Sequence, residues 1–113
     1  DLNEAVSELM QLPQKPDAFF TGSDQISTGC VKVLKQHGFK IPDDVAIIGF
    51  TNTVYAEIFD PPLSTVHQPA FEIGKLAAEK LFSALRRKDS AEEYETVNLC
   101  TEIRIRASSA AKQ

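Results

Sequence analysis

Ile41 to Pro69, IPDDVAIIGFTNTVYAEIFDPPLSTVHQP, decides the fold of this 113-residue chain. It opens on a Pro-Asp-Asp turn, where Asp43 and Asp44 suit the turn chemistry. Val45-Ala46-Ile47-Ile48-Gly49-Phe50 then runs apolar without alternation, the pattern of a strand covered on both faces in a parallel sheet. The polar Thr51-Asn52-Thr53 follows at its carboxyl end, where open α/β sheets bind ligands. Beyond Ile58 and Phe59, Asp60-Pro61-Pro62 forbids a helix and forces an extended path. Leu63 to His67 reads as a second strand, and Pro69 as the first turn of a new helix.

Working outward, Leu2, Ala5, Val6, Leu9 and Met10 mark an amphipathic helix stopped by Pro13. Ala18 to Thr21 is a short strand, and Asp24 is a natural N-cap for the helix after it. That helix carries an apolar stripe of Ile26, Cys30, Val33 and Leu34, and Gly38 ends it. His37, near the helix end, suits a cap or dipole partner. The helix from Pro69 runs to about Arg87, with Ile73, Leu76, Ala77, Leu81 and Leu85 as its buried stripe, widened by Phe71, Ala78 and Phe82. Residues 88–93 read as a charged, mobile loop. Residues 95–100 and 102–107 read as strands, the second with Ile103, Ile105 and Ala107 alternating against Arg104 and Arg106. Residues 108–113 read as a frayed end. The alternation of helices and strands predicts an α/β fold with parallel neighbouring strands.

Charge and composition exclude several functions. The net charge is −4, and the one basic cluster, Arg86-Arg87-Lys88, sits where it complements a helix dipole. This chain therefore lacks the basic face that gripping nucleic acid requires. No apolar run approaches the length of a membrane span. Cys30 and Cys100 form no motif and read as buried, reduced thiols. His37 and His67 have no Cys or His at metal-ligand spacing, and no nucleophile elbow, phosphate loop or dinucleotide fingerprint is present. The chain is thus expected to be no enzyme and to need no metal or cofactor.

Several pieces stand out by their order and spacing: Pro16-Asp17-Ala18-Phe19-Phe20, Ser23-Asp24-Gln25, Ile41-Pro42-Asp43-Asp44-Val45, Ile48-Gly49-Phe50, Pro61-Pro62-Leu63-Ser64-Thr65-Val66, Gln68-Pro69, Gly74 and residues 101–108. Together they resemble the LacI/GalR-type (lactose-repressor-like) bacterial transcription regulators. The resemblance implies a parallel-sheet, periplasmic-binding-protein-like α/β fold, split into two lobes joined by crossover strands. Residues 1–65 and 101–113 would belong to the C-terminal lobe, and residues 66–100 would give a helix and a strand to the other. It further implies a cytoplasmic homodimer that binds a small-molecule effector, a sugar or derivative, between the lobes. Operator DNA would be bound only through a separate N-terminal headpiece absent from this chain. The alternative is a secreted solute-binding receptor of a transporter, since fold alone does not choose between them.

Carried over residue by residue, the resemblance places Ser23 and Thr51 on the effector, with Asn52, Gln68 and Ile73 beside them. The family often has Asn and Asp at the first two positions, so this chain offers hydroxyls in place of a carboxylate clamp, unless Asn52 substitutes. Ser, Thr and Asn also favour turns, and a plain turn remains open as an explanation. His67 reads as a surface or hinge residue. Ile58 and Phe59 sit in a segment too short to bury both, and the resemblance puts them in a two-fold interface with Thr28; capping the local core is the competing reading.

Overall fold

A computed structural model describes residues 1–87 and 95–110. The loop expected at residues 88–93 lies outside the described residues, as do residues 111–113. Seven elements follow in order: α1 (Leu2–Met10), β1 (Ala18–Phe20), α2 (Asp24–Gln36), β2 (Ala46–Thr51), β3 (Ser64–His67), α3 (Ala70–Arg86) and β4 (Glu102–Arg104). The strands form one sheet in the order β1-β2-β3-β4, with β1, β2 and β3 parallel and β4 antiparallel to β3. The chain divides into two compact units, Asp1–His67 with Glu102–Gln113, and Gln68–Thr101.

In the first unit the sheet forms because β2 has partners on both edges. Its register with β1 runs from Ala18 opposite Ala46 to Phe20 opposite Ile48, and with β3 from Ile48 opposite Ser64 to Thr51 opposite His67. Val45, Ile47 and Leu63 join Val6, Met10, Cys30, Val33 and Leu34 of the two helices in one core. Each large side chain fully buried there contributes about 1.5–3 kcal/mol. Gly49 lets α2 approach β2 closely, since a Cβ there would clash with Asp24 Oδ1 and lie 2.7 Å from Ser27 Oγ. The opposite face of β2 is only half covered: Ala46, Ile48 and Phe50 are half-buried.

Gly38 stops α2 as its sequence position suggests, with a φ of 81° that few other residues adopt. His37 is the C-cap, its ring Nδ1 lying 2.9 Å from Val33 O. Ile26, expected in the apolar stripe, is exposed, and Ser27 takes the buried turn in its place. Ser27 fits because its hydroxyl bonds Thr21 Oγ1 at 2.5 Å and donates to Ser23 O at 3.2 Å.

The carboxyl-terminal part differs more from expectation. β4 spans three residues, and Ile103 and Ile105 are exposed, so alternation there does not mark a buried face. Ser108 is no frayed end. It is fully buried, donates through Oγ to Ile47 O at 2.6 Å, and accepts from Ser64 N at 2.8 Å. Its backbone is bonded too, to Pro62 O and from Ile47 N.

In the second unit, residues 95–100 form no regular element rather than a strand, and Cys100 is exposed, not buried. Pro69 caps α3 without a side-chain bond. None of α3 is buried among the described residues, and the stripe drawn for it includes Phe71 at 79% exposed and Leu85 at 72%. The helical periodicity is real, but nothing among the described residues buries the stripe. A groove of about 390 Å³ runs between α3 and residues 95–99, lined by Ile73, Leu76, Ala77, Val97 and Leu99. Lys80 and Glu95 pair at it, and the Lys80 hydrogen bond and charge hold the Glu95 carboxyl below the usual carboxylate range.

Candidate functional site

In the first unit β2 and β3 end at one level, and β1 stops three residues earlier. Thr51 is opposite His67, and Ser23 follows β1 at the start of α2. Each of these ends is a carboxyl end of a parallel strand, where ligands bind in open α/β sheets. Ser23, not Asp24, is the N-cap of α2: its Oγ accepts from Ile26 N at 3.2 Å, which leaves the hydroxyl hydrogen to donate. Thr51 is exposed.

Thr51 and Asn52 have φ of 123° and 59°. Asn tolerates the left-handed region, but a β-branched residue is strained there, by about 1–3 kcal/mol. Such a conformation persists only if the surroundings over-determine it. They do so through Asp24, the first residue of α2, which is 1% exposed. Its Oδ2 accepts from Thr53 N at 2.7 Å, and its Oδ1 from Thr65 Oγ1 at 2.7 Å. Thr65 Oγ1 in turn accepts from Asn52 N at 3.2 Å. The carboxylate thus ties the loop after β2 to β3, and its charge suits the amino end of a helix. Asp24 followed a Ser, a weak hint of this arrangement; nothing in its spacing pointed to Thr65, 41 residues on.

The side chain of Asn52 is also engaged. Arg106 Nη2 donates to Asn52 Oδ1 at 3.0 Å and to Glu57 Oε1 at 3.0 Å, while its Nη1 donates to Leu63 O at 2.8 Å. Asn52 Nδ2 faces His67 Nδ1 at 3.3 Å. Both polar atoms of the Asn52 side chain therefore have partners within the chain. Arg106 lay 54 residues away in the sequence, on what looked like an edge pattern, and no local signal singles it out.

The other expected residues fall elsewhere. Gln68 is half-buried and Ile73 exposed, both in the second unit. Thr28 is exposed and donates to Asp24 O at 2.8 Å. Ile58 is 77% exposed, but Phe59 packs against the core, so of that pair only Ile58 is left as an unburied apolar side chain. Val54 and Tyr55 are exposed close by. Among the described residues no cluster of three His, Cys, Asp or Glu could hold a metal ion, and no helix is long and apolar enough to cross a membrane.

This mostly parallel sheet with its helices defines an α/β domain of the periplasmic-binding-protein type. The family model for the periplasmic binding protein-like domain matches residues 1–109, and the chain belongs to that family. Within it the chain is a LacI/GalR-type effector-binding region. It is 37% identical to the HTH-type transcriptional repressor PurR of Vibrio campbellii over 102 residues, 90% of this chain and 30% of that protein. It is 43% identical over 75 residues to the HTH-type transcriptional repressor CytR of Escherichia coli K12, 66% of this chain and 22% of that protein. The chain thus spans less than a third of these relatives. Among solved structures, a LacI transcriptional regulator from Bacillus cereus subsp. cytotoxis superimposes with TM-score 0.88 at 31% identity, over 99% of this chain and 39% of that one. A LacI family regulator from Enterococcus faecium, with bound ribose, gives 0.81 at 28% identity, over 96% and 39%.

Proposed function

We propose that this chain forms one wall of the effector site of a bacterial LacI-type regulator, and that the effector is a sugar or a sugar derivative. The observation that carries this is Thr51 opposite His67 at the carboxyl ends of two parallel strands, with Ser23 in the turn after a third, beside a left-handed loop fastened by a buried carboxylate. A strained, over-determined loop at such an edge suits a ligand contact better than a plain turn. Ser23 and Thr51 would pair ligand hydroxyls, with Gln68 and Ile73 as further effector contacts. Asn52 serves the site by holding its neighbours. The whole protein would act without catalysis, in the cytoplasm, as a homodimer using Thr28 and Ile58. Operator DNA would be reached through a helix-turn-helix headpiece, with effector binding shifting a two-state equilibrium.

The test is calorimetric titration of the full-length protein with D-ribose, D-glucose and nucleosides, followed by operator binding with and without the sugar that binds. Thr51→Val keeps the shape and removes the hydroxyl, and should weaken binding by about 0.5–1.5 kcal/mol. Wild-type affinity in Thr51→Val would return Thr51 to a turn role. A secreted solute receptor shares the fold; the likeness to helix-turn-helix repressors favours the regulator, and a full-length protein with no operator affinity would reverse that choice.

A further inference from the structure

A row of hydrogen bonds sets the chemistry of one imidazole. Arg106 is held by Leu63 O through Nη1 and by Glu57 through Nη2, with its side chain only 15% exposed. A guanidinium only donates, so the Asn52 atom 3.0 Å from Nη2 is the amide oxygen. That turns the amide nitrogen toward His67 Nδ1. An amide NH2 also only donates, so Nδ1 accepts, and the proton of the ring sits on Nε2. Nε2 has no partner among the described residues, and half-buried His67 stands opposite Thr51.

We propose that His67 donates its Nε2–H to an oxygen of the effector, and that Arg106 and Asn52 are positioning residues that keep the proton there. The proposal rests on the effector-wall reading above and adds to it the chemistry of the ligand. The hydroxyl hydrogen of Ser23 and the His67 N–H are donors, and Thr51 can do either. Of the carboxylates tied into this network, Asp24 has both oxygens bonded and Glu57 holds Arg106. The wall is therefore rich in donors. It selects a neutral sugar or nucleoside that turns ring, hydroxyl or carbonyl oxygens toward it, and it disfavours an amine.

The experiment titrates the full-length protein with D-ribose, D-glucose and uridine at up to millimolar concentration, and reads the imidazole tautomer by two-bond 15N–1H NMR. His67→Phe should weaken the probe that binds by about 2- to 13-fold, the range for one neutral hydrogen bond. His67→Gln, which offers an N–H near the Nε2 position, should recover part of that loss. Asn52→Asp should keep the Arg106 contact but set a carboxylate oxygen against Nδ1. It should move a proton onto Nδ1, visible in the 15N pattern, and weaken the probe by a similar factor. A merely structural Asn52 would not change the tautomer. Unchanged affinity in His67→Phe, while Thr51→Val weakens binding, overturns the donor role and leaves the effector wall standing. An Nε2–H pattern retained in Asn52→Asp overturns the positioning role. A wild-type protein that binds none of the three probes overturns both the wall and the donor.

Discussion

Replacing Asp24 tests whether a buried carboxylate holds the loop at the end of β2. In Asp24→Ala the Thr53 N–H and the Thr65 hydroxyl lose the acceptors that each now reaches at 2.7 Å. Thr65 is fully buried, so its hydroxyl is left unpaired, whereas Thr53 is half-buried and water partly replaces its acceptor. A buried donor left unpaired costs about 1–3 kcal/mol and an ordinary hydrogen bond about 0.5–1.5 kcal/mol, so the two together predict a loss of about 2–4 kcal/mol. Asp24→Asn should lose less. Its oxygen can take the Thr53 N–H while its NH2 donates to Thr65 Oγ1, so that only the Thr65 hydroxyl hydrogen loses its acceptor, a cost of about 1–3 kcal/mol. The order Asp24→Ala worse than Asp24→Asn separates hydrogen bonding from shape. Urea denaturation of the full-length protein measures both, read as a midpoint shift at constant slope. A double-mutant cycle with Thr65→Val should show coupling, because the two side chains share a bond. If the loop is held as described, the Thr53 amide also exchanges faster with solvent in Asp24→Ala. A change within about 0.5 kcal/mol, the range of an ordinary surface substitution, would refute the argument.

Three other outcomes follow from named contacts. Gly49→Ala should destabilise by about 1–3 kcal/mol, because the methyl meets the Asp24 carboxylate and the Ser27 hydroxyl; a neutral effect in the same urea assay would mean that α2 stands further from β2. Cys100 should react with a thiol reagent well before Cys30, since burial pushes the Cys30 thiol above its ordinary range, partly offset by a backbone hydrogen bond, while Cys100 is exposed; peptide mapping by mass spectrometry reads the order. Ile58→Asp should weaken a dimer without unfolding the protein, whereas Phe59→Ala should lower stability by about 3–5 kcal/mol at most because it opens the edge of the core; sedimentation paired with denaturation distinguishes them, and a tight dimer in Ile58→Asp removes that patch from the interface.

The elements that were legible in the sequence were those whose signal is local. The periodicity of Leu2–Met10, the unbroken run through Ile47, the proline pair before Leu63 and the glycine after His37 each express a constraint between near neighbours. Those constraints set the α/β class and the parallel order of β1 and β2. Spacing also set Ser23 and Thr51 at strand ends, because in a parallel sheet successive strands finish on the same edge.

What only the tertiary structure decided was where polar side chains found partners across long separations. A Ser before an Asp looks like an ordinary helix start, and the sequence does not tell which of the two caps the helix. The answer depends on Thr53 and Thr65, which lie 29 and 41 residues from Asp24 and reach its carboxylate only once β2 and β3 are paired. Ser108 looked like a loose end and is buried because its hydroxyl completes the bonds of Ile47 and Ser64. Arg106 looked like one face of an alternating strand and instead sets the orientation of Asn52 and, through it, of His67. The apolar stripe of α3 has the helical period, yet none of it is buried, because periodicity fixes which side chains share a face and not what covers them. By itself the sequence determined local conformation and the edge of the sheet that carries polar residues. Pairing between distant polar groups belongs to the folded chain, because a buried donor or acceptor is satisfied only by the geometry that the whole fold brings together.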